Sequence, residues 1–331
     1  MKKNILFIAT AILVVLSSCG DFLDEKNPNK IPVDSYFQSV NDVEKALNGA
    51  YVSLRSTYCM GESSTMFTEE RSDNTGRLDN QSASGEPFQF TNFAILPSNT
   101  YLKKYWTGLY STVNDCNFTI KGANEVSMDE DARANDLAQA KFLRALAYFD
   151  IVRKWGDAPL VTTYSSQKSD ITANTFRTPK EQIYAQIVKD LDEALESSLP
   201  NRQEAGSRGR ADKASITALL GKVYLTMAAV LSDGNAESYL EKAKQYLTQC
   251  YDMREFNSLT DIPYPDVFDV NKKSTCKEII FQIVYKQGDK DNHSSIAATN
   301  QSKGETINSQ VASKGMGTFV NPDLVKEYEN G

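Results

Sequence analysis

Residues 139–160, reading QAKFLRALAYFDIVRKWGDAPL, constrain the fold more than any other part of the chain. Ala140, Leu143, Ala147 and Ile151 recur at helical spacing. Phe142, Leu146 and Phe149 form a second apolar stripe on a neighbouring face. A helix that is apolar on two sides has to be covered on two sides, so this one belongs in the middle of a helical stack. Gly156 ends it, and Pro159 bars a restart.

The rest of the chain supplies neighbours for that helix. A helix over about 40–56 carries Val43, Ala46, Leu47, Ala50 and Leu54 on one face, with Ser39 and Asp42 at its start. The periodicity then disappears from 58 to 99, a connection far longer than most. Phe67, Phe88, Phe90 and Phe93 imply that this loop-rich region is at least partly anchored. A helix over about 101–123 follows, with Tyr105, Leu109, Val113, Cys116 and Ile120. Ser127 with Glu130 reads as a capping box for the central helix. Thr178 with Glu181 reads as another, with Pro179 at the first helical position. The helix it opens turns Ile183, Ile187, Leu191, Ala194 and Leu195 inward and ends at Pro200.

Asp212 caps a helix over 213–231 with a bulky face (Ile216, Leu220, Val223, Met227) and a small one (Ala214, Ala218, Gly221). A small face lets a neighbouring backbone come close. A helix over about 236–253 completes the set. An internal repeat links these helices: Leu143-Arg144-Ala145-x-x-Tyr148 returns 76 residues later as Leu219-Leu220-Gly221-x-x-Tyr224. Each copy is followed by an apolar-x3-Leu-x2-small pattern, first at Ile187, Leu191 and Ala194, then at Ala243, Leu247 and Cys250. These are degenerate tetratricopeptide (TPR) positions, giving helix pairs at about 137–200 and 212–253. Solenoid faces of this kind are usually docking surfaces. The texture changes again over 256–318, a second loop-rich region in which 278–285 (EIIFQIVY) reads as a strand. The fold class is therefore mainly α, with TPR-like helix pairs, irregular loop-rich regions and a few short strands.

The N-terminus has the layout of an export signal. Lys2 and Lys3 precede an apolar run from Ile5 to Leu16, and Leu16-Ser17-Ser18-Cys19 resembles a bacterial lipobox. Residues 1–18 are thus expected to be a lipoprotein signal peptide, and Cys19 the acylated first residue of the mature chain. Acyl chains contribute about 0.8 kcal/mol per buried methylene, enough for a firm anchor. Residues 19–34, beginning with the acidic Gly20-Asp21-Phe22-Leu23-Asp24-Glu25 run, read as a tether. The remaining cysteines (59, 116, 250 and 276) have no zinc-ribbon or CxxC spacing. Buried free thiols are the favoured reading, and disulfides in an exported chain remain open.

The run at 140–161 closely resembles the signature helix of the SusD/RagB family, nutrient-binding surface lipoproteins of Bacteroidetes. Further matching stretches are SYF at 35–37, Glu70-Arg71-Ser72-Asp73-Asn74, Trp106 through Tyr110 to Asn117, TPKEQIY, GRAD at 209–212, ALLGKVYL, PDVFDV and EIIF. Their order and spacing extend the likeness from the lipobox to Gly331. The resemblance implies a helical scaffold of TPR-like pairs over 35–331, packed against an irregular region that carries the ligand. It also implies a lid-like partnership with a SusC-like TonB-dependent transporter, at the cell surface in the outer membrane. Family members extend well past the equivalent of Gly331, so the resemblance further implies that the C-terminal part of the family fold is missing here.

The chemistry is consistent with capture rather than catalysis. Net charge is −7, which argues against a nucleic-acid partner. His293 is the one histidine, so a His-based triad has one candidate base and a histidine-rich metal site none to spare. There is no G-x-S-x-G, no P-loop and no HExxH. No cofactor and no metal are expected. Sugars are bound by aromatic faces with amides, carboxylates and Arg on the hydroxyls, on loops held by a rigid scaffold. The 58–106 region has those ingredients: Asp73, Asn74, Arg77, Tyr101 and Trp106 are the candidate ligand residues, beside Asp79 and Phe88. Helical spacing favours a plain core role for Tyr105 and Trp106, and Asp73 and Asn74 suit a turn. A second candidate region is 286–318, with Lys286, Asp289 and His293. The expected function is binding of oligo- or polysaccharide for delivery to the transporter. The alternatives are a TPR-type protein scaffold without glycan binding and a surface glycoside hydrolase, since a carboxylate pair can be drawn from many acidic residues.

Overall fold

The structure is a computed structural model that describes residues 35–77, 85–166, 176–286, 289, 294, 306–307, 310–311 and 318–330. The expected signal peptide, Cys19, the expected tether, Asp79 and His293 lie outside the described residues. The chain divides into two units, Met1–Gln38 and Ser39–Gly331. In the first, Tyr36 and Phe37 meet edge-on at 5.0 Å, and Gln38 Nε2 donates to the Ser35 carbonyl.

The second unit is a succession of packed helices: α1 (Val40–Arg55), the short α2 (Phe88–Thr91), α3 (Thr100–Glu125), α4 (Glu130–Trp155), α5 (Lys180–Leu195), α6 (Lys213–Val230), α7 (Ala236–Asp252), the short α8 (Tyr264–Phe268) and α9 (Pro322–Asn330). Helix α1 packs on α3, α3 on α4, α4 on α5, α5 on α6 and α6 on α7. Among the described residues, four short strands, β1 (Thr75–Arg77), β2 (Thr306–Ile307), β3 (Gln310–Val311) and β4 (Thr318–Val320), form two antiparallel pairs, β1 with β4 and β2 with β3.

Helix α4 is the middle of the stack. It meets α1, α3, α5 and α6. Ala140, Leu143, Ala147 and Ile151 are fully buried, Phe142 and Phe149 nearly so, and Leu146 is partly buried. Each fully buried Leu, Ile or Phe stabilises the fold by about 1.5–3 kcal/mol relative to exposure. A polar strap runs through the same core. Arg144 holds Asp190 of α5 with two bonds, Nε to Oδ2 at 2.8 Å and Nη2 to Oδ1 at 2.6 Å. Its Nη1 donates to Asn117 Oδ1 of α3 and to the Thr162 carbonyl. Asn117 in turn donates to the carbonyls of Val161 and Thr163. Three helices and the segment leaving α4 are thereby locked together by one guanidinium.

The two copies of the sequence repeat lie on α4 and α6, which pack on α5 and α7 respectively. Tyr148 and Tyr224 are both buried, and Tyr224 stacks on Tyr246 of α7 at 5.7 Å. The small face of α6 admits its neighbour closely: a methyl at Gly221 would stand 2.5 Å from Leu247 Cγ. Leu247 differs from the expectation of an inward residue, being 40% exposed. One side of it fits Gly221, and the other faces an open groove with Leu225, Leu240 and Tyr251.

Helix starts depart from the expected caps in three places. Ser39 precedes α1, but its hydroxyl donates to Asp42 instead of accepting a backbone N–H. Helix α4 is capped by Asp129, which accepts from Ala132 N, and not by Ser127. At α5 Pro179 is the N-cap, and a distant carboxylate, Asp157, accepts from Lys180 N. Asp212 does cap α6, in a reciprocal box with Ser215. The expected strand at 278–285 is not a strand. Its carbonyls are taken by side chains: Arg202 on Ile279, Arg55 on Val284 and Lys273 on Tyr285. An extended apolar run needs a neighbouring strand to become sheet, and here helices flank it. Cys59, Cys116, Cys250 and Cys276 are buried free thiols.

Candidate functional site

The loop-rich region 58–99 is built onto the start of α3 and the end of α4 through an aromatic cluster. Phe67 stacks on Tyr105 at 4.1 Å and meets Phe90 edge-on at 4.9 Å. Tyr105 lies parallel to Trp155 at 6.1 Å, and Trp155 meets Trp106 edge-on at 5.1 Å. Tyr110 continues the row, its hydroxyl donating to the Pro159 carbonyl at 2.7 Å. Contacts of this kind are worth about 0.5–1.5 kcal/mol each beyond burial.

Beneath the rings the Tyr105 hydroxyl donates to the buried carboxylate of Asp150, which also takes Arg153 and Lys154. Burial, and then Asp150, pushes the Tyr105 hydroxyl well above its ordinary range. Burial also lowers the Lys154 ammonium, against the pull of Asp150. The Cys59 thiol is pushed up to about 11 by burial. None of these groups is presented as a nucleophile. Together they form a rigid platform.

On that platform the loop is pinned by amides. Gln89 Oε1 accepts from Leu96 N at 3.0 Å and Asn99 Nδ2 at 2.9 Å. Asn99 is 1% exposed and caps α3 through Tyr101 N and Leu102 N. Glu86 accepts from the backbone and hydroxyl of Thr100, bonds that hold its carboxyl below the usual range. What this network displays is apolar: Phe93 is 65% exposed and Leu96 54%. Phe93 has φ +54°, and among the described residues no other non-glycine residue has positive φ. A bulky side chain held there costs on the order of 1–3 kcal/mol, and such strain tends to sit at functional sites.

The expected ligand residues separate into two groups. Asp73 and Asn74 are exposed at the turn into β1, where their carbonyls accept from Asn321 beyond β4. Arg77 is in β1, its backbone opposite Thr318. Helix α2 packs near β1 and leads the chain back to α3. There Tyr101 and Trp106 are partly buried, Tyr101 under the Lys104 ammonium. No hydrogen bond or ring contact joins Asp73 or Asn74 to Tyr101 or Trp106 among the described residues. Trp106 belongs mostly to the cluster that supports the loop, as its helical spacing implies. Phe67 and Phe90 are anchors as expected, whereas Phe93 faces solvent. Composition does not mark Phe93 out, because nothing in it separates an outward phenylalanine from its buried neighbours. Tyr58 is 37% exposed, with the Lys104 ammonium over its ring. In the second region, Asp289 lies 3.9 Å from Lys286.

A stack of packed helices carrying an amide-pinned loop with an exposed aromatic ring is the architecture that the comparisons match. The chain belongs to the SusD-like family described as starch-binding and associating with the outer membrane, whose model matches residues 21–225. The SusD-like protein P2 of Formosa agariphila is 30% identical over 286 residues, covering 86% of this chain and 53% of that protein. The crystal structure of a SusD superfamily protein from Parabacteroides distasonis superposes with a TM-score of 0.74 at 22% identity, over 91% of this chain and 61% of that one. A laminarin-binding SusD-like protein superposes with a TM-score of 0.51 at 26% identity, over 63% of this chain and 43% of that one. The chain spans about half the length of the curated relatives it matches.

Proposed function

We propose that the protein is a non-catalytic surface lipoprotein, anchored through Cys19, that binds oligo- or polysaccharide and delivers it to a SusC-like TonB-dependent transporter in the outer membrane. The observation that carries the binding part is Phe93, a strained and exposed aromatic ring on amide-pinned backbone. Such a ring can stack on the C–H face of a pyranose. The turn of Asp73 and Asn74, with Arg77 in the strand β1 on which α2 packs, supplies residue types that bond hydroxyls, and Tyr101 and Trp106 belong to the supporting helix α3. The laminarin-binding relative supports a glycan as ligand. Delivery, the anchor and the surface location rest on the family resemblance and on the leader. Residues 1–18 act as the signal peptide and 19–34 as the tether in this reading.

Affinity gels against a polysaccharide panel test it: retardation by at least one glycan without product release is expected, and release of product would revive the hydrolase. A second reading, a protein-docking scaffold, is favoured by the apolar groove of about 460 Å³ between α6 and α7. No retardation by any glycan would favour that reading. Cys19→Ala should move the protein out of the detergent-extracted membrane fraction, and its retention there would remove the anchor.

A further inference from the structure

The groove between α6 and α7 has a counterpart inside the molecule. The repeat pairs Tyr148 with Tyr224 and Leu191 with Leu247. In that register the groove residues Leu225, Leu240 and Tyr251 answer to Phe149, Tyr184 and Leu195 of the first helix pair. Phe149 is 2% exposed, Tyr184 1% and Leu191 0%, and Leu195 is partly buried. In the second pair Leu225 is 51% exposed, Leu240 49%, Leu247 40% and Tyr251 59%. The same register positions are covered in one pair and bare in the other.

What the first pair meets is the second pair. Helix α5 packs on α6. Asp192, the counterpart of the groove residue Thr248, accepts from the Tyr246 hydroxyl of α7 at 3.0 Å. Lys180, at the start of α5, donates to the Val230 carbonyl at the end of α6 at 2.9 Å. Stacked repeats bury a continuous core only where each pair has a neighbour, so the second pair presents a face made to receive a helix. From Leu240 to Tyr251 the groove runs about 16 Å along α7, room for about three turns of an incoming helix. Its lining is apolar apart from Lys244 and Thr248. Exposed apolar surface gathered in this way marks an interaction site, and a groove between two helices suits the apolar face of a third.

We infer that this groove seats one amphipathic α-helix of a partner polypeptide, packed on the second pair as α6 is packed on the first. The partner helix carries a face like that of α6, with small residues such as Ala214, Ala218 and Gly221 beside bulky ones such as Leu220 and Val223. Small residues let its backbone come close, and branched ones fill the groove. The inference gives the docking surface named above an occupant of stated shape. It uses no residue of the 58–99 loop and stands whether or not a glycan binds at Phe93.

The test uses the full chain in detergent and, as probe, a fluorescent peptide of residues 212–231 held helical by a hydrocarbon staple. Fluorescence anisotropy should show saturable binding. Leu225→Glu with Leu240→Glu, exposed positions on the two walls, should weaken it at least tenfold while the urea melt and the glycan affinity gels are unchanged. The same peptide carrying Leu220→Glu and Val223→Glu should not bind. Absence of binding by the helical peptide, or equal binding to the protein and its variant, would overturn the inference. Light scattering that finds a dimer without peptide, and a monomer in the variant, would assign the groove to a second copy and overturn it as well. Peptide binding by a chain that no glycan retards would support the groove and count against the loop face, and the converse would count against the groove alone.

Discussion

At the scale of single residues, two side chains concentrate the argument. Phe93 gives up backbone comfort for exposure, which makes little sense for stability and good sense for a stacking surface. Asparagine tolerates the same backbone. Phe93→Asn should therefore leave stability unchanged or raise it by up to about 1 kcal/mol. The same variant should lose at least tenfold in glycan affinity. Denaturant melts and titration on one preparation read both, and a loss of stability with intact binding would make Phe93 a packing residue. Arg144 is the opposite case, a charge with structural work only. Removing one member of its pair, as in Asp190→Leu, should cost about 3–5 kcal/mol because the other is left buried and uncompensated. Arg144→Met with Asp190→Leu should recover a good part of that in urea melts, less whatever the stranded Asn117 and Thr162 groups lose.

Among elements, the helices were legible and the connections were not. The apolar faces of α1, α3, α5 and α6 are buried as their spacing implied, apart from Ile120, Leu195 and Ala218, which are only partly buried, because a 3.6-residue period reports directly on which side meets a neighbour. Capping was less legible. At α5 the group serving the first backbone amide is Asp157, 23 residues upstream, which no local pattern encodes. The 278–285 run misled because its composition reads as strand while its partners are arginine and lysine side chains. The candidate site was half legible. The sequence offers the 58–106 region for its residue types, yet choosing between Phe90 and Phe93 requires knowing which way a turn faces. For the repeat, Gly221 carries the sharpest test. Gly221→Leu should cost at least about 1–3 kcal/mol, since the side chain overlaps Leu247, and Leu247→Ala in the same chain should recover part of it.

For the molecule as a whole, the helices form a scaffold and the proposed binding chemistry is laid over it. Rigid packing around α4 holds α3, and α3 holds the 58–99 loop through aromatic rings and through Asn99. Loops fixed in this way lose little entropy when a ligand arrives, which is what a passive capture surface needs. The exposed apolar groove of α6 and α7 is the competing surface, and location of the ligand decides between them. The direct measurement is a crystal structure of the protein soaked with a laminari-oligosaccharide. The account predicts sugar density stacked on Phe93, within reach of the Asp73–Asn74 turn. Density confined to the α6–α7 groove, with Phe93 bare, would contradict it.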